Sequence, residues 1–213
     1  KNTKGSFTSV RPESIGLPEK SLNANWVDYD NDGLPDLHTV PQGLFKQSVE
    51  HDFNSTGILA FNNEQYSAAV SNWFDLDNDG RLDLLVALKN DPSFKNWWEF
   101  KKKPDRATTW PIKTYRNIGA SNHWLQIKLV GVKENPQAIG ARVTVTTSNG
   151  QQIQEVGSSE GSYFSLGHYR LYFGLGKNNK ADRIKVQWPD GKSQELVNII
   201  SDRLIFIEPT GML

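Results

Sequence analysis

Thirteen residues of this chain occur twice, and the duplication constrains the fold more than any other feature. Asn25-Trp26-Val27-Asp28-Tyr29-Asp30-Asn31-Asp32-Gly33-Leu34-Pro35-Asp36-Leu37 returns 47 residues later as Asn72-Trp73-Phe74-Asp75-Leu76-Asp77-Asn78-Asp79-Gly80-Arg81-Leu82-Asp83-Leu84, with nine of thirteen positions identical. Four aspartates stay in register across the two copies, so the first half of the chain is built from a repeated unit. Its period is close to that of one propeller blade, roughly 40–50 residues.

Both copies read Asp-x-Asp-x-Asp-Gly-x-x-Asp, which puts carboxylates at loop sites 1, 3, 5 and 9. Asp28, Asp30, Asp32 and Asp36 are expected to converge, as are Asp75, Asp77, Asp79 and Asp83. Gly33 and Gly80 fall at site 6, where a cation loop turns sharply and a Cβ would obstruct it. The carbonyls of Leu34 and Arg81, at site 7, are the candidate backbone ligands. Carboxylates this close repel by about 1–4 kcal/mol per pair, and a hard divalent cation removes that repulsion. A flexible, oxygen-rich loop suits Ca²⁺ better than Mg²⁺, so two structural Ca²⁺ sites are expected. An EF-hand is excluded, because site 12 is Thr39 or Val86 instead of glutamate. The flanking residues also lack a helical period and read as strands.

These loops resemble the FG-GAP (VCBS-type) repeat of integrin α-subunit propellers and of many secreted bacterial proteins. Gly5–Val10 followed by Ile15-Gly16-Leu17 is similar to the lead-in of such repeats, and Thr114-Tyr115-Arg116-Asn117 to their closing strand. The resemblance implies two propeller-blade-like repeats, at about 5–50 and 51–117 within a 1–117 unit. Two blades do not close a ring, which implies membership of a larger β-propeller or completion by another chain, with open blade edges available for self-assembly.

Beyond Asn117 the pattern changes. Leu125, Ile127 and Leu129 alternate with Gln126 and Lys128; Val143 and Val145 alternate with Arg142, Thr144 and Thr146. Asn149-Gly150 reads as a tight hairpin turn, and Arg183–Trp188 pairs with Ser193–Val197 across Pro189-Asp190-Gly191. The expectation for 118–213 is a compact antiparallel β-sandwich or barrel, making the whole chain all-β. Asn122-His123-Trp124-Leu125, Ile139–Val143, Phe173-Gly174-Leu175-Gly176 and Val186–Gly191 resemble, in order, the ASPIC/UnbV domain, the C-terminal module of cartilage acidic protein and bacterial homologues.

Composition narrows the function. Lys+Arg and Asp+Glu both number 24, so bulk-charge binding to nucleic acid is not expected. The longest aliphatic run, Leu84–Leu88, falls far short of a membrane span. There is no cysteine, hence no thiol nucleophile or Cys-based metal site. The histidines 38, 51, 123 and 168 are scattered, and no nucleophile elbow or P-loop occurs, so the chain reads as no enzyme. Glu99, Glu155, Glu160 and Asp182 are the residues among which a cryptic hydrolase would have to hide. The chain begins at Lys1 instead of Met, which reads as a processed product or a fragment. Calcium-dependent loops are best filled where calcium is near millimolar, so an extracellular or cell-surface setting is expected. The expected role is adhesion, surface recognition or matrix and filament assembly, with an extracellular protein or a polysaccharide as partner. The alternative is a carbohydrate-binding module, or an accessory domain of a polysaccharide-active enzyme, using Trp97, Trp98 and Trp110 as a stacking platform. Asn54-Ser55-Thr56 is a glycosylation sequon.

Overall fold

The computed structural model describes residues 2–3, 5–49, 51–61, 66–90, 109–119, 122–158 and 168–210. Among them there is no α-helix, and strands and turns carry the architecture. None of the helical structure is long and apolar enough to cross a membrane.

At the N-terminus β1 (Asn2–Thr3) and β2 (Ser6–Phe7) form a short antiparallel ladder, followed by one 3₁₀ turn at Pro12–Ile15. Residues 5–17 therefore do not add a strand to the first repeat. That repeat is a four-stranded antiparallel meander of β3 (Asn23–Val27), β4 (Asp36–Val40), β5 (Gly43–Gln47) and β6 (Phe53–Ser55). Its fourth strand comes from beyond the boundary drawn at residue 50. The second repeat is a meander of β7 (Tyr66–Phe74), β8 (Asp83–Asn90) and β9 (Ile112–Tyr115).

Period-two alternation decides how these sheets meet. Val27, Val40 and Leu44 leave the first sheet on one face, and Ala69, Leu84, Val86 and Leu88 leave the second; all are buried between them. The inner strands β3 and β7 are joined by a buried polar ladder, in which Asn23 Nδ2 donates to Ser71 Oγ (2.6 Å) and Ser71 Oγ donates to Asn25 Oδ1 (2.5 Å). Registers match across the repeat: Leu37 pairs with Phe45 as Leu84 pairs with Tyr115. Lys46-Gln47 and Arg116-Asn117 consequently hold equivalent places at the end of each third strand. In sequence these pairs are 70 residues apart, not 47, because extra chain separates β8 from β9.

The C-terminal module has two sheets around one core. The first orders β13 (Arg170–Gly176), β10 (His123–Leu129) and β16 (Arg203–Ile207). The second orders β12 (Gly150–Glu155), β11 (Arg142–Thr147), β14 (Lys180–Gln187) and β15 (Ser193–Ile200). Leu125, Ile127, Leu129, Leu171 and Phe173 from the first meet Val143, Val145, Ile184 and Val186 from the second. No sheet closes into a barrel among the described residues. The expectation of a wholly antiparallel module is corrected at one place, since β10 and β16 run parallel. A parallel neighbour requires a long crossover, and here the whole second sheet is inserted between the two strands.

Candidate metal centre

Each Asp-rich loop joins the first two long strands of its repeat, and the two loops have the same backbone. Asn31 and Asn78 take φ of 58° and 60°, and Gly33 and Gly80 take φ of 90° and 89°. Asparagine is among the few residues with a side chain that tolerate this left-handed region, and glycine enters it freely. In the first loop the Asp28 carboxylate accepts the N–H groups of Asp32 (3.0 Å) and Gly33 (2.9 Å). In the second, Asp75 accepts those of Asp79 (3.0 Å) and Gly80 (2.9 Å). The site-9 aspartates reach across the sheet: Asp36 Oδ1 accepts the Gln47 N–H (2.8 Å) and Asp83 Oδ1 the Asn117 N–H (2.7 Å).

Three carboxylates of each loop converge. Asp28, Asp30 and Asp36 offer oxygens within 4.8 Å of one another, and so do Asp75, Asp77 and Asp83. Asp32 and Asp79 stand apart from these triplets. Their Oδ1 atoms cap the turn by accepting the N–H of Leu34 (2.8 Å) and Arg81 (3.0 Å). The Arg81 side chain ties Asp79 Oδ2 to the Asn117 carbonyl (2.8 Å).

Basic side chains from the equivalent third strands lean on the carboxylates. Lys46 Nζ contacts Asp30 Oδ2 and lies 2.9 Å from Asp32 Oδ2. Arg116 Nη2 lies 2.5 Å from Asp77 Oδ2 and 3.3 Å from Asp79 Oδ2. Partial burial opposes the charge on Lys46, but hydrogen bonds to Asp30 and Asp32 outweigh it and raise the ammonium's pKa. The balance of charge differs between loops: four carboxylates face one ammonium in the first and two guanidiniums in the second.

The first loop is also less satisfied. Asp36 is 0% exposed and its Oδ2 has no hydrogen-bond partner, whereas Asp83 Oδ2 accepts the Leu76 N–H (2.9 Å). Burial, followed by the neighbouring Asp32, raises the Asp28 pKa well above its ordinary value. Burial also pushes Asp36 up to about 7, against the Gln47 hydrogen bond, with Asp30 and Asp32 adding to the rise. A buried carboxylate with one oxygen lacking a donor, clustered with two other carboxylates, is the donor set of a hard divalent cation. The residues fit Ca²⁺ held by Asp28, Asp30 and Asp36, and by Asp75, Asp77 and Asp83.

Both loops press against the C-terminal sheet. A Cβ on Gly174 would lie 2.0 Å from Asp28 Oδ2, and one on Gly80 would lie 1.9 Å from the Trp124 indole. Gly176 donates its N–H to the Asn31 carbonyl (2.8 Å), and Asn122 Nδ2 donates to the Asp30 carbonyl (2.9 Å). Asn31 Nδ2 donates to the Gly80 carbonyl (3.0 Å), which links the loops to each other. Lys46, Gln47, Gln126, Arg170 and Tyr172 were not legible as loop partners from sequence, because nothing local marks them.

Trp97, Trp98, Glu99 and Glu160 lie outside the described residues. Trp110 precedes β9 and is 40% exposed; Asn54 is exposed on β6. Glu155 and Asp182 are engaged in surface ion pairs with Arg142 (3.3 Å) and Lys180 (3.6 Å). His123 opens β10 with Nδ1 at 2.7 Å from Asp202 Oδ2 and 3.3 Å from Ser201 Oγ. Serine and aspartate thus share one ring nitrogen, which is not the geometry of a hydrolytic triad, where they engage opposite nitrogens.

Residues 131–212 match the family described as ASPIC and UnbV, which supports an ASPIC/UnbV-like domain in the C-terminal part of the chain. Its match begins after β10, although β10 supplies three residues of the same core. A search of curated proteins found no match to the chain.

Proposed function

We propose that this chain is a non-enzymatic extracellular Ca²⁺-binding protein. Its two loops hold structural calcium, and it acts in adhesion, surface recognition or matrix assembly through an extracellular protein or polysaccharide. The observation that carries this reading is Asp36: fully buried, with an unpartnered Oδ2, and clustered with the carboxylates of Asp28 and Asp30 in a site whose plan is repeated at Asp75, Asp77 and Asp83. The two meanders, with shared register and packed inner strands, support FG-GAP-type propeller blades. The two facing sheets of the C-terminal module support a sandwich. The edge strands β6 and β9, which have one neighbour each among the described residues, are where self-assembly or further blades would pair.

Calcium in these loops would neutralise clustered carboxylates and fix the ends of neighbouring strands. With Kd of ~0.1 mM and ~1 mM calcium, each site contributes roughly 1.4 kcal/mol. Thermal unfolding in 2 mM CaCl₂ and in excess EDTA, with calcium titration calorimetry, tests the reading. A clear stabilisation and a stoichiometry near two are expected. Absence of both binding heat and thermal shift would make the loops solvated turns and remove the argument for an extracellular setting.

A further inference from the structure

Gln126 belongs to the polar face of β10, where alternation predicts solvent, yet it is 2% exposed. Both ends of its amide are committed. Nε2 donates to Asp75 Oδ2 at 2.5 Å, and Oε1 accepts from Arg170 Nη1 at 3.0 Å. A carboxylate only accepts, which fixes the orientation of the amide. Arg170 Nη1 also donates to Asn78 Oδ1 (2.8 Å), and the Asp75 N–H points to the Tyr172 hydroxyl (3.5 Å). Two adjacent strands of the C-terminal module thus grip the second loop at sites 1 and 4. The first loop is received by the same sheet, where the bare Cα of Gly174 leaves room for the Asp28 carboxylate. The apolar core of the module lies on the opposite face of that sheet, so these polar contacts are not needed to build it.

We propose that the C-terminal module completes both cation sites: Gln126 is a positioning residue for Asp75, Gly174 admits Asp28, and calcium affinity and module docking form one coupled equilibrium. This rests on reading the loops as calcium sites. Coupling between two binding events is reciprocal, so calcium tightens docking by the factor by which docking tightens calcium. The module then acts as a reporter of loop occupancy, held in one orientation at high calcium and released as calcium falls.

The test is calcium titration calorimetry and thermal unfolding of the whole chain, comparing wild type with Gln126→Leu and Gln126→Glu. Gln126→Leu keeps the bulk and loses the donor. It should weaken the second-loop site at least about fivefold, the lower end of ordinary coupling, and the first-loop site by a smaller factor through the shared docking step. Gln126→Glu sets a fourth carboxylate against Asp75 in the cluster it forms with Asp77 and Asp83. It should lower the melting temperature in EDTA more than leucine does and recover in calcium, a widened gap that loss of packing alone does not produce. Wild-type affinities at both sites in both variants would overturn the coupling. Should Gln126→Leu fail to fold in EDTA, Arg170→Met loosens Gln126 from its far side without touching a carboxylate, and a smaller shift in the same direction is expected; no shift overturns the proposal. A wild type that binds no calcium removes the calcium reading itself. Two wild-type sites with unaltered variants remove only the coupling.

Discussion

Replacing Asp36 with asparagine should strengthen the calcium-free protein and remove half of its response to calcium. Asp36 is fully buried, with Oδ1 satisfied by the Gln47 N–H and Oδ2 unpartnered. Burial, aided by Asp30 and Asp32 and opposed by the Gln47 bond, moves its pKa from 3.8 to about 7. An acid whose folded pKa is raised favours the fold only while protonated. That contribution is complete below pH 3.8 and is lost as pH rises through about 7. At pH 8 without a divalent cation the ionised group then costs at most about 4 kcal/mol. Relaxation of the loop and entry of water reduce this to about 2 kcal/mol. Asparagine keeps an acceptor for Gln47 and turns an amide donor toward Asp28 and Asp30. For a chain of this size about 2 kcal/mol corresponds to roughly 4–8 °C, so scanning calorimetry in EDTA should show Asp36→Asn melting that much higher. In 2 mM calcium a site of Kd ~0.1 mM adds about 1.8 kcal/mol to wild type, and the variant should forgo that increment. A lower melting temperature in EDTA, or an equal calcium shift in both proteins, would refute the reasoning.

Other perturbations separate further parts of the structure. His38 lies edge-on to Trp73 (5.4 Å between centroids) and Phe61 (6.4 Å), and burial lowers its pKa to about 4. Its neutral form stabilises the fold above pH 6.5, and this is lost as pH falls toward 4. His38→Leu, which copies Leu85 of the second repeat, should reduce the loss between pH 7 and pH 5 by about 2 kcal/mol in urea unfolding; parallel pH profiles would contradict this. Lys46→Met should tighten the first calcium site by about tenfold at low ionic strength and less in 0.15 M salt. Weaker calorimetric binding would instead make Lys46 an orienting residue. Gly80→Ala should destabilise by at least about 2 kcal/mol and alter tryptophan emission, because its Cβ strikes the Trp124 ring. Gly57→Ala has a similar positive φ and open space around it, so it should cost only about 1 kcal/mol; equal losses would deny the Trp124 contact its role.

What could be read from the sequence follows the range over which each feature is determined. The loops were legible because spacing within nine residues sets them: aspartates on alternate positions, asparagine and glycine where φ turns positive. Their third-strand partners were hidden, since the chain inserted between β8 and β9 carries Arg116 out of the 47-residue frame that would have matched it to Lys46. The C-terminal strands were legible from alternation, which placed Leu125, Ile127 and Leu129 correctly in the core. The same rule misplaced Gln126, because it distinguishes the two faces of a sheet but not what lies against the polar one. The parallel pairing of β10 with β16 was beyond it too, as strand order depends on residues some eighty positions apart. Phe173-Gly174-Leu175-Gly176 shows why both ranges matter. Its phenylalanine and leucine are dictated by the module's own core, while Gly174 and Gly176 answer to Asp28 and Asn31 at the other end of the chain. One short motif therefore serves two masters, and the glycines make sense only once the first acidic loop is seen resting on them.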